Sequence, residues 1–371
     1  MVLGIDASRA FISDKTGTEN YSYHLISEML RLPESSSHTF VLFIRPNTQV
    51  PVELSGYTNV TVKVIPFRYL WTQIGLAWET WQSPRLDVLW IPAHTLPILR
   101  RRDVKTVVTI HGLEYQWLPE YKNLLQRWYL PLSTFYAAKS ADTLIAVSQF
   151  TARQLQKELH TSAKKIKVIH EGVRLSSREA TPAGLSVVMK NSGLQSKKYV
   201  LFVGSIQPRK NLVALIEAFS KLDIPDLKLV IAGGTGWMAE EVFRAPGRHG
   251  IREKVFFTGR VSEAGLEALY QGAVLYVQPS LTEGFGLPVL EAMSHGVPVV
   301  SSDGGALNEV IGQSGVIVHL DGDFVKQLAG AIKRVLGDKM LQNNLVAMGH
   351  KRVASMSWSI AAKKTFKVLL G

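Results

Sequence analysis

The chain has 371 residues, 46% of them hydrophobic and 19% charged, a globular composition that excludes extensive disorder. At roughly 100 to 200 residues per domain, this length favours two domains. Lys and Arg outnumber Asp and Glu by 42 to 30, and because there is no cysteine, disulfides, a thiolate nucleophile and cysteine-bound metals are excluded.

The net charge of +12 suits a partner rich in negative charge, which leaves nucleic acid, an anionic lipid surface or a phosphorylated small molecule open. The first residues, MVLGIDASRAF, turn polar too soon for a signal peptide, and no apolar run is long enough to span a bilayer. We therefore expect a cytoplasmic protein that is soluble or peripheral on the inner face of the membrane.

Short apolar runs alternate with helical patterns throughout the first half of the chain. The runs are VLGID, TFVLFI, VTVKVIPF, DVLWIP, KTVVTIH, DTLIAVS and IKVIHEG. This alternation predicts a mainly parallel sheet covered by helices on both faces. A glycine loop, Thr16-Gly17-Thr18, leads into the first long helix, and it could cradle a phosphate or be an ordinary turn.

A second series of strands follows a polar, breaker-rich segment, and we place the hinge between the domains near residues 171 to 180. The second series consists of YVLFVG, LKLVIAGG, KVFFTG, VLYVQPS, PVVSSD and GVIVHL. It predicts a second sheet of the same doubly wound type. An amphipathic helix with no strand after it closes the chain.

In doubly wound sheets, ligands bind beyond the carboxyl ends of the strands, so the residues found there are candidate site residues. His111 follows one strand of the first half, although a lone histidine is more often structural than catalytic. In the second half, Arg209 and Lys210 lie before a helix that we expect Asn211 to cap. Two cations beside a helix N-terminus predict a phosphate site, although such a pair can also be merely solvated.

Two glutamates flank a glycine-rich turn in TEGFGLPVLEAM. Because Pro288 is tolerated in a first helical turn, the helix should begin at Leu287 or Pro288, with Glu291 in its first turn and Glu283 in the preceding loop. Gly284 and Gly286 favour a close approach of backbone to ligand. The alternative is that one glutamate only offsets the helix dipole and the other is a surface residue.

Other sites are poorly supported. The stretch IAGGTGW lacks the third glycine of a dinucleotide fingerprint, so a nicotinamide site is rejected. No histidine pair or carboxylate cluster has metal-ligand spacing, so we expect neither metal nor cofactor. Aromatic and basic residues form no nucleic-acid-binding module, so nucleic acid is rejected as a partner.

Several motifs together resemble the retaining glycosyltransferases of family 4, and the resemblance covers nearly the whole chain. They are GTENYSYHL, TIHGLEY, LIAVSQFT, VIHEGV, FVGSIQPRKNL, EGFGLPVLEAMSHGVPVV and MSWSIAAKKTF, of which the paired-glutamate stretch is the most specific. The resemblance implies an α/β GT-B fold of two Rossmann-like doubly wound domains facing a cleft. It implies an acceptor-side domain at 1–172, a nucleotide-sugar donor domain at 173–354 and a C-terminal helix at 355–371 packing back on the first domain. Two departures are His170-Glu171-Gly172 in place of the commoner Pro-Asn-Gly and Gly112 in place of a frequent Asp.

The resemblance also implies roles for the candidate residues. Glu291 would bind the ribose hydroxyls, Glu283 would face the transferred sugar, and Arg209 and Lys210 would neutralise the departing diphosphate. The implied catalytic residues are His111, Arg209, Lys210 and Glu283. The implied donor-binding set comprises Gly17, Gly204, Arg209, Lys210, Gly233, Arg260, Val261, Glu283, Gly284, Phe285, Gly286, Leu287 and Glu291.

The activity implied is retaining transfer of a hexose, with a lean to mannose, from a GDP- or UDP-linked sugar to a glycan or lipid-linked acceptor during polysaccharide biosynthesis. A GT-B epimerase or phosphorylase and a non-catalytic nucleotide-sugar-binding subunit are the alternatives. From Arg100 to His170 the chain has 12 basic and 5 acidic residues, mixed with aromatics. This stretch fits either peripheral contact with an anionic membrane or a solvated basic face.

Overall fold

The computed structural model describes residues 1–12, 15, 17–82, 84–113, 124–174 and 194–371, without the side chains of 55 and 124–127. Within these residues the chain forms two compact units. The N-terminal unit comprises Met1–Gly172 and Met356–Gly371, and the C-terminal unit comprises Val173–Ser355. Of the predicted features, Thr16 and residues 175–180 of the hinge segment lie outside the described residues.

The N-terminal unit is built on a seven-stranded parallel sheet. Its strands are β1 (Val2–Asp6), β2 (Thr39–Ile44), β3 (Val60–Val64), β4 (Val88–Ile91), β5 (Lys105–Ile110), β6 (Thr143–Ala146) and β7 (Ile166–Val168). They lie in the order β3-β2-β1-β4-β5-β6-β7, in which the direction of winding reverses between β1 and β4. All seven coincide with apolar runs predicted from the sequence.

Helices cover this sheet. Those described are α1 (Gly17–Leu30), α2 (Val52–Ser55), α3 (Ala77–Glu79), α4 (Leu124–Ser140), α5 (Gln149–Glu158) and the C-terminal helix, α13 (Trp358–Leu370). A π-helical stretch, Trp71–Leu76, precedes α3. The C-terminal helix packs on α1, where Trp358 stacks on His24 with ring centroids 5.2 Å apart. It is also tied to the sheet by Lys105, whose Nζ donates to the carbonyl of Val368 over 2.9 Å.

The C-terminal unit has a six-stranded parallel sheet. Its strands are β8 (Tyr199–Val203), β9 (Lys228–Ala232), β10 (Val255–Gly259), β11 (Leu275–Gln278), β12 (Val299–Ser302) and β13 (Val316–Val318). They lie in the order β10-β9-β8-β11-β12-β13, so the winding reverses between β8 and β11. These six strands also coincide with the predicted runs.

The helices of the C-terminal unit pack an apolar core against that sheet. They are α6 (Leu212–Ser220), α7 (Glu240–Arg248), α8 (Glu263–Gly272), α9 (Leu287–Ser294), α10 (Leu307–Ile311), α11 (Phe324–Gly337) and α12 (Lys339–Ala354). Phe202, Leu215, Ile231, Val277 and Ile332 are fully buried in this core. Burial on both sheet faces explains why the strands are nearly continuous apolar runs, as is typical of parallel sheets.

Candidate functional site

The loops that follow β8 and β11 lie side by side at the point where the winding of the C-terminal sheet reverses. The two strands are neighbours in the sheet, and the amide of Leu281 donates to the carbonyl of Arg209 over 2.8 Å. At such a reversal the connections after the two strands lead to opposite faces of the sheet, and ligands of this fold class bind in the crevice at the carboxyl ends of the strands. The candidate residues Arg209, Lys210 and Glu283 all lie in these two loops.

These three residues form one ionic cluster. The Glu283 carboxylate accepts from Arg209 Nη1 over 2.8 Å and from Lys210 Nζ over 2.5 Å. Glu283 and Lys210 are each only 6% exposed, and the Arg209 side chain is 11% exposed. Two cations bonded to one buried carboxylate are fixed in position, and the cluster keeps an excess of one positive charge.

Two neutral groups that sequence analysis missed, Gln278 and Ser280, also hold the Glu283 carboxylate in position. Ser280 Oγ and Gln278 Nε2 donate to Glu283 Oε1 over 2.7 and 2.9 Å. Gln278 in turn accepts a short hydrogen bond from the Tyr276 hydroxyl. Gln278 is fully buried at the end of an otherwise apolar strand, and a buried amide requires partners, which is the sequence signal that could have identified it.

Burial alone would raise the pKa of Glu283, but the charges of Lys210 and then Arg209 outweigh it and lower the pKa from 4.5 to about 2. A depressed folded-state pKa contributes stability that is present above the unfolded-state value near 4.5 and is lost as the pH falls toward 2. We expect Glu283→Gln to be destabilised at pH 7 and this deficit to shrink between pH 4.5 and 2. Urea unfolding of the variant and the parent across that range measures it, and a deficit independent of pH would contradict the ionic pairing.

Glu291 lies in a different environment. Its helix, α9, begins at Leu287 after Gly286, whose φ of 109° is in a region that glycine adopts readily. This start agrees with the predicted one, but Glu291 is then the fifth helical residue, so its predicted place in the first turn is wrong. It accepts from the Tyr270 hydroxyl over 2.8 Å, and burial raises its pKa. The helix begins at Leu287, so Pro288 is its second residue and Glu291 lies just beyond the first turn.

Glycines bring the loop after β9 close to the loop after β8. A Cβ on Gly233, after β9, would lie 2.1 Å from the carbonyl oxygen of Gly204, after β8. Only a glycine at position 233 therefore allows the two loops to lie this close. Arg260 and Val261 follow β10, and a Cβ on Gly234 would lie 3.1 Å from Arg260 Nε. The buried Phe285, next to Gly284, belongs to the same edge of the sheet.

His111 follows β5 of the N-terminal unit, and both of its ring nitrogens face acceptors. Nδ1 lies 3.0 Å from Glu171 Oε1, and Nε2 lies 2.9 Å from the carbonyl oxygen of Pro92. Tyr21, on α1, packs edge-on against the ring at 4.6 Å. Gly17 begins α1 with open space at its Cβ position. The ring is therefore held on three sides.

In the N-terminal unit, Glu171 is a residue that sequence analysis did not assign to the site. Glu171 is 5% exposed and comes 60 positions after His111, whose ring nitrogen it contacts. Because a charged hydrogen bond is about twice as strong as a neutral one, we expect Glu171→Gln to lower turnover about 10-fold by loosening the ring. Steady-state kinetics measures this, with the exposed Glu53→Gln as the matched control.

If Glu171 did not orient His111, the substitution Glu171→Gln would leave the NMR signals of the His111 imidazole unchanged. We expect the Nδ1 proton of His111 to resonate at low field in the parent protein and to shift or broaden in Glu171→Gln. Unchanged imidazole signals and unchanged turnover in Glu171→Gln would contradict the orienting role.

The structure thus places the ionic cluster, the glycine loops and Glu291 in the C-terminal unit, and His111 with Gly17 in the N-terminal unit. Across the described ranges, no group of three or more His, Asp or Glu residues is arranged to hold a metal ion. Two Rossmann-like parallel sheets, one carrying a fixed cation pair at its reversal point, agree with the nucleotide-sugar glycosyltransferases of the GT-B class.

Comparison with known proteins agrees with this class. The family described as "Glycosyl transferases group 1" matches residues 187–352, and "Glycosyltransferase Family 4" matches residues 16–177. The chain is 30% identical to O-antigen chain mannosyltransferase B of Escherichia coli over 271 residues, 72% of this chain and 70% of the relative. It is 28% identical to O-antigen chain mannosyltransferase RfbU of Salmonella typhimurium, over 68% of this chain and 67% of the relative.

Among solved structures, sucrose-phosphate synthase from Thermosynechococcus elongatus superimposes with a TM-score of 0.76, covering 99% of this chain and 98% of that one. At 20% identity this likeness shows the fold alone. The chain belongs to the group 1 glycosyltransferases of family 4 and has the GT-B fold.

Proposed function

We propose that the protein is a retaining hexosyltransferase that transfers mannose from a GDP- or UDP-linked donor to a glycan or lipid-linked acceptor. The observation that carries this proposal is the cluster of Arg209, Lys210 and Glu283 at the reversal point of the C-terminal sheet. A nucleoside diphosphate leaves with a stable negative charge, and two fixed cations stabilise that charge without reorganising at the moment of reaction.

The reaction proposed is attack by an acceptor hydroxyl on the face that the leaving group vacates. The bond from the anomeric carbon to the diphosphate oxygen breaks through an oxocarbenium-like transition state. The bond from the same carbon to the acceptor oxygen forms, and the acceptor proton passes to the departing phosphate oxygen. Arg209 and Lys210 neutralise the leaving group, while Glu283 holds both cations and favours the positive charge that grows on the sugar.

The remaining residues would bind the donor. Glu291, a strong acceptor for paired hydroxyls, would hold the ribose, and the main chain from Gly284 to Leu287 would meet the sugar and the diphosphate. Gly204, Gly233, Arg260 and Val261 lie in the adjacent loops and would complete the nucleotide site. In the N-terminal unit, His111 would be a further catalytic residue and Gly17 a further donor-binding residue.

Support for the sugar and the pathway comes from the relatives. Both bacterial relatives described above are O-antigen chain mannosyltransferases by name, which favours mannose and a role in polysaccharide biosynthesis. The nucleotide is left open between GDP and UDP. The proposed location is the cytoplasm, at its boundary with the inner face of the membrane.

The test is to incubate the purified protein with a panel of GDP-, UDP- and ADP-sugars and a disaccharide or lipid-linked acceptor. We expect GDP- or UDP-mannose to be consumed and the product to keep the donor's anomeric configuration by NMR. Inversion would overturn the retaining mechanism. An epimerised nucleotide sugar, a requirement for inorganic phosphate, or binding without turnover would assign the protein instead to the epimerases, the phosphorylases or the non-catalytic subunits.

We also expect metal-independent activity, because two fixed cationic side chains can stabilise the leaving-group charge that a divalent ion would otherwise stabilise. Turnover in excess EDTA should equal turnover without it. Loss of activity in EDTA, followed by recovery with Mg²⁺ or Mn²⁺, would show that a metal carries the leaving-group charge.

A further inference from the structure

Three segments of the N-terminal unit expose large apolar side chains that a soluble surface would normally replace with polar ones. The exposed fraction reaches 62% for Trp78, 76% for Leu99 and 68% for Trp128. We call the set the aromatic–basic face, and its apolar members are Tyr69, Leu70, Ile74, Trp78, Trp81, Ile98, Leu99, Trp128, Tyr129, Leu132 and Phe135. Single exposed apolar residues are common, but a set of this size marks an interaction surface.

One of the segments, helix α4, presents these side chains in helical register. On α4, Trp128, Leu132 and Phe135 recur at intervals of four and three residues and so share one exposed helix face. The opposite face packs into the unit, where Ala137 is buried. An ordinary surface helix is polar on its solvent side, and α4 is apolar on both sides.

Hydrogen bonds link all three segments. Arg100 Nη1 donates to the Tyr136 hydroxyl over 2.9 Å, and Arg100 Nη2 donates to the carbonyl of Ser140 over 2.8 Å, which ties the loop bearing Ile98 to α4. Gln73 Nε2 donates to the carbonyl of Leu96, and the amide of Ile98 donates to Gln73 Oε1 over 3.0 Å. The loop is therefore fastened to α4 on one side and to the Trp71–Leu76 stretch on the other.

Basic side chains accompany the apolar ones. The described segments 67–82, 84–105 and 128–141 contain seven Lys or Arg and three Asp or Glu. Arg68, Arg102 and Lys139 are exposed, and Lys139 Nζ lies 5.6 Å from the ring centre of Phe135. Of the acidic residues, Asp103 pairs with Arg85 and Arg101, and Glu79 pairs with Lys63 outside these segments.

We infer that the aromatic–basic face docks on an anionic lipid bilayer. Tryptophan and tyrosine favour the headgroup region, aliphatic side chains enter the acyl boundary, and Lys and Arg contact anionic headgroups. The excess of basic residues is the complement of such a surface. In the part of the chain that the structure describes, no helix is long and apolar enough to cross a membrane, so the contact is peripheral. This inference does not depend on the reaction proposed above.

The experiment is co-sedimentation of the full chain with vesicles of phosphatidylcholine containing roughly 30% phosphatidylglycerol, in low and high salt, beside vesicles of phosphatidylcholine alone. We expect binding to the anionic vesicles that weakens with salt. Because each basic residue near the surface contributes a several-fold change in affinity, Arg102→Glu with Lys139→Glu should weaken binding about 30-fold or more. Trp128→Ser with Phe135→Ser should also weaken it.

The matched controls lie on the C-terminal unit, where Lys326→Glu and Met340→Ser alter exposed residues of the same types and should leave binding unchanged. Donor turnover in solution should be unchanged in the surface variants, which separates this inference from the catalytic proposal. Equal binding by parent and surface variants, or no binding to anionic vesicles in low salt, would overturn it. So would self-association by light scattering that the same variants abolish, which would assign the face to a second copy of the chain.

Discussion

Lys210→Ala should lower kcat/KM about 100- to 1,000-fold, because removal of one fixed donor at a developing negative charge has effects of that size. The Nζ of Lys210 is bonded to Glu283 and sits at the sheet reversal, where the diphosphate would lie. Arg209→Ala should act in the same direction. Steady-state kinetics with the correct donor measures the loss, and the exposed Lys221→Ala, which removes a surface pair with Glu217, is the matched control.

The same substitution leaves Glu283 buried with one cation fewer, which should destabilise the unit by up to about 3 to 5 kcal/mol. A second variant therefore separates folding from catalysis. The double variant Lys210→Ala with Glu283→Gln removes one cation and one anion together, so it should be destabilised by less than the sum of the two single substitutions, while turnover remains low. Recovery of turnover together with stability would show that the cluster is only structural.

The second large effect concerns the two glutamates, which should fail in different ways. Glu283→Gln should chiefly lower kcat, by about 10- to 100-fold, because the charge it carries matters most as the glycosidic bond breaks. Glu291→Gln should chiefly raise KM, because a ribose contact is equally strong in the ground and transition states. The two substitutions are isosteric, and kcat and KM of each are measured over a range of donor concentrations up to saturation.

Stability gives an independent reading of the same pair. Burial raises the pKa of the Glu291 carboxyl in the folded protein. Its contribution to the free energy of unfolding is therefore present below its ordinary pKa and is lost as the pH rises through the raised value. Glu291→Gln should therefore be as stable as the parent at pH 7, or more stable, and still bind donor less well. If Glu283→Gln altered only KM and Glu291→Gln reduced kcat, the two roles would be exchanged.

Sequence patterns predicted much of the fold because the strands of a buried parallel sheet are apolar throughout. Each run such as YVLFV or KLVIA is read directly from the chain, and breakers mark its ends. The positions of Arg209, Lys210 and Glu283 at strand ends were visible for the same reason. Their contact was not, because Arg209 and Lys210 precede Glu283 by 74 and 73 residues and only the pairing of β8 with β11 brings them together.

Local rules failed where the backbone took an uncommon conformation. Asn211 was expected to cap α6 with its side chain, but its φ of 54° is left-handed and no side-chain cap bond forms. The orienting role of Glu171 was missed for a different reason. It depends on a loop after β7 meeting a loop after β5, and a periodicity does not encode such a contact between distant loops.

The hydrogen-bonded chain from Lys210 through Glu283 and Gln278 to Tyr276 has a practical consequence for altering donor choice in the laboratory. Because Glu283 is fastened to strand β11 through buried groups, we expect substitutions at 284, 285 and 287, which we propose to meet the sugar, to change the shape of the sugar site more than the position of the cations, provided that Gly286 is kept. A mutant library confined to those positions therefore explores sugar selectivity at constant leaving-group chemistry. A library that includes Gln278 would release the anchor and yield mostly inactive clones.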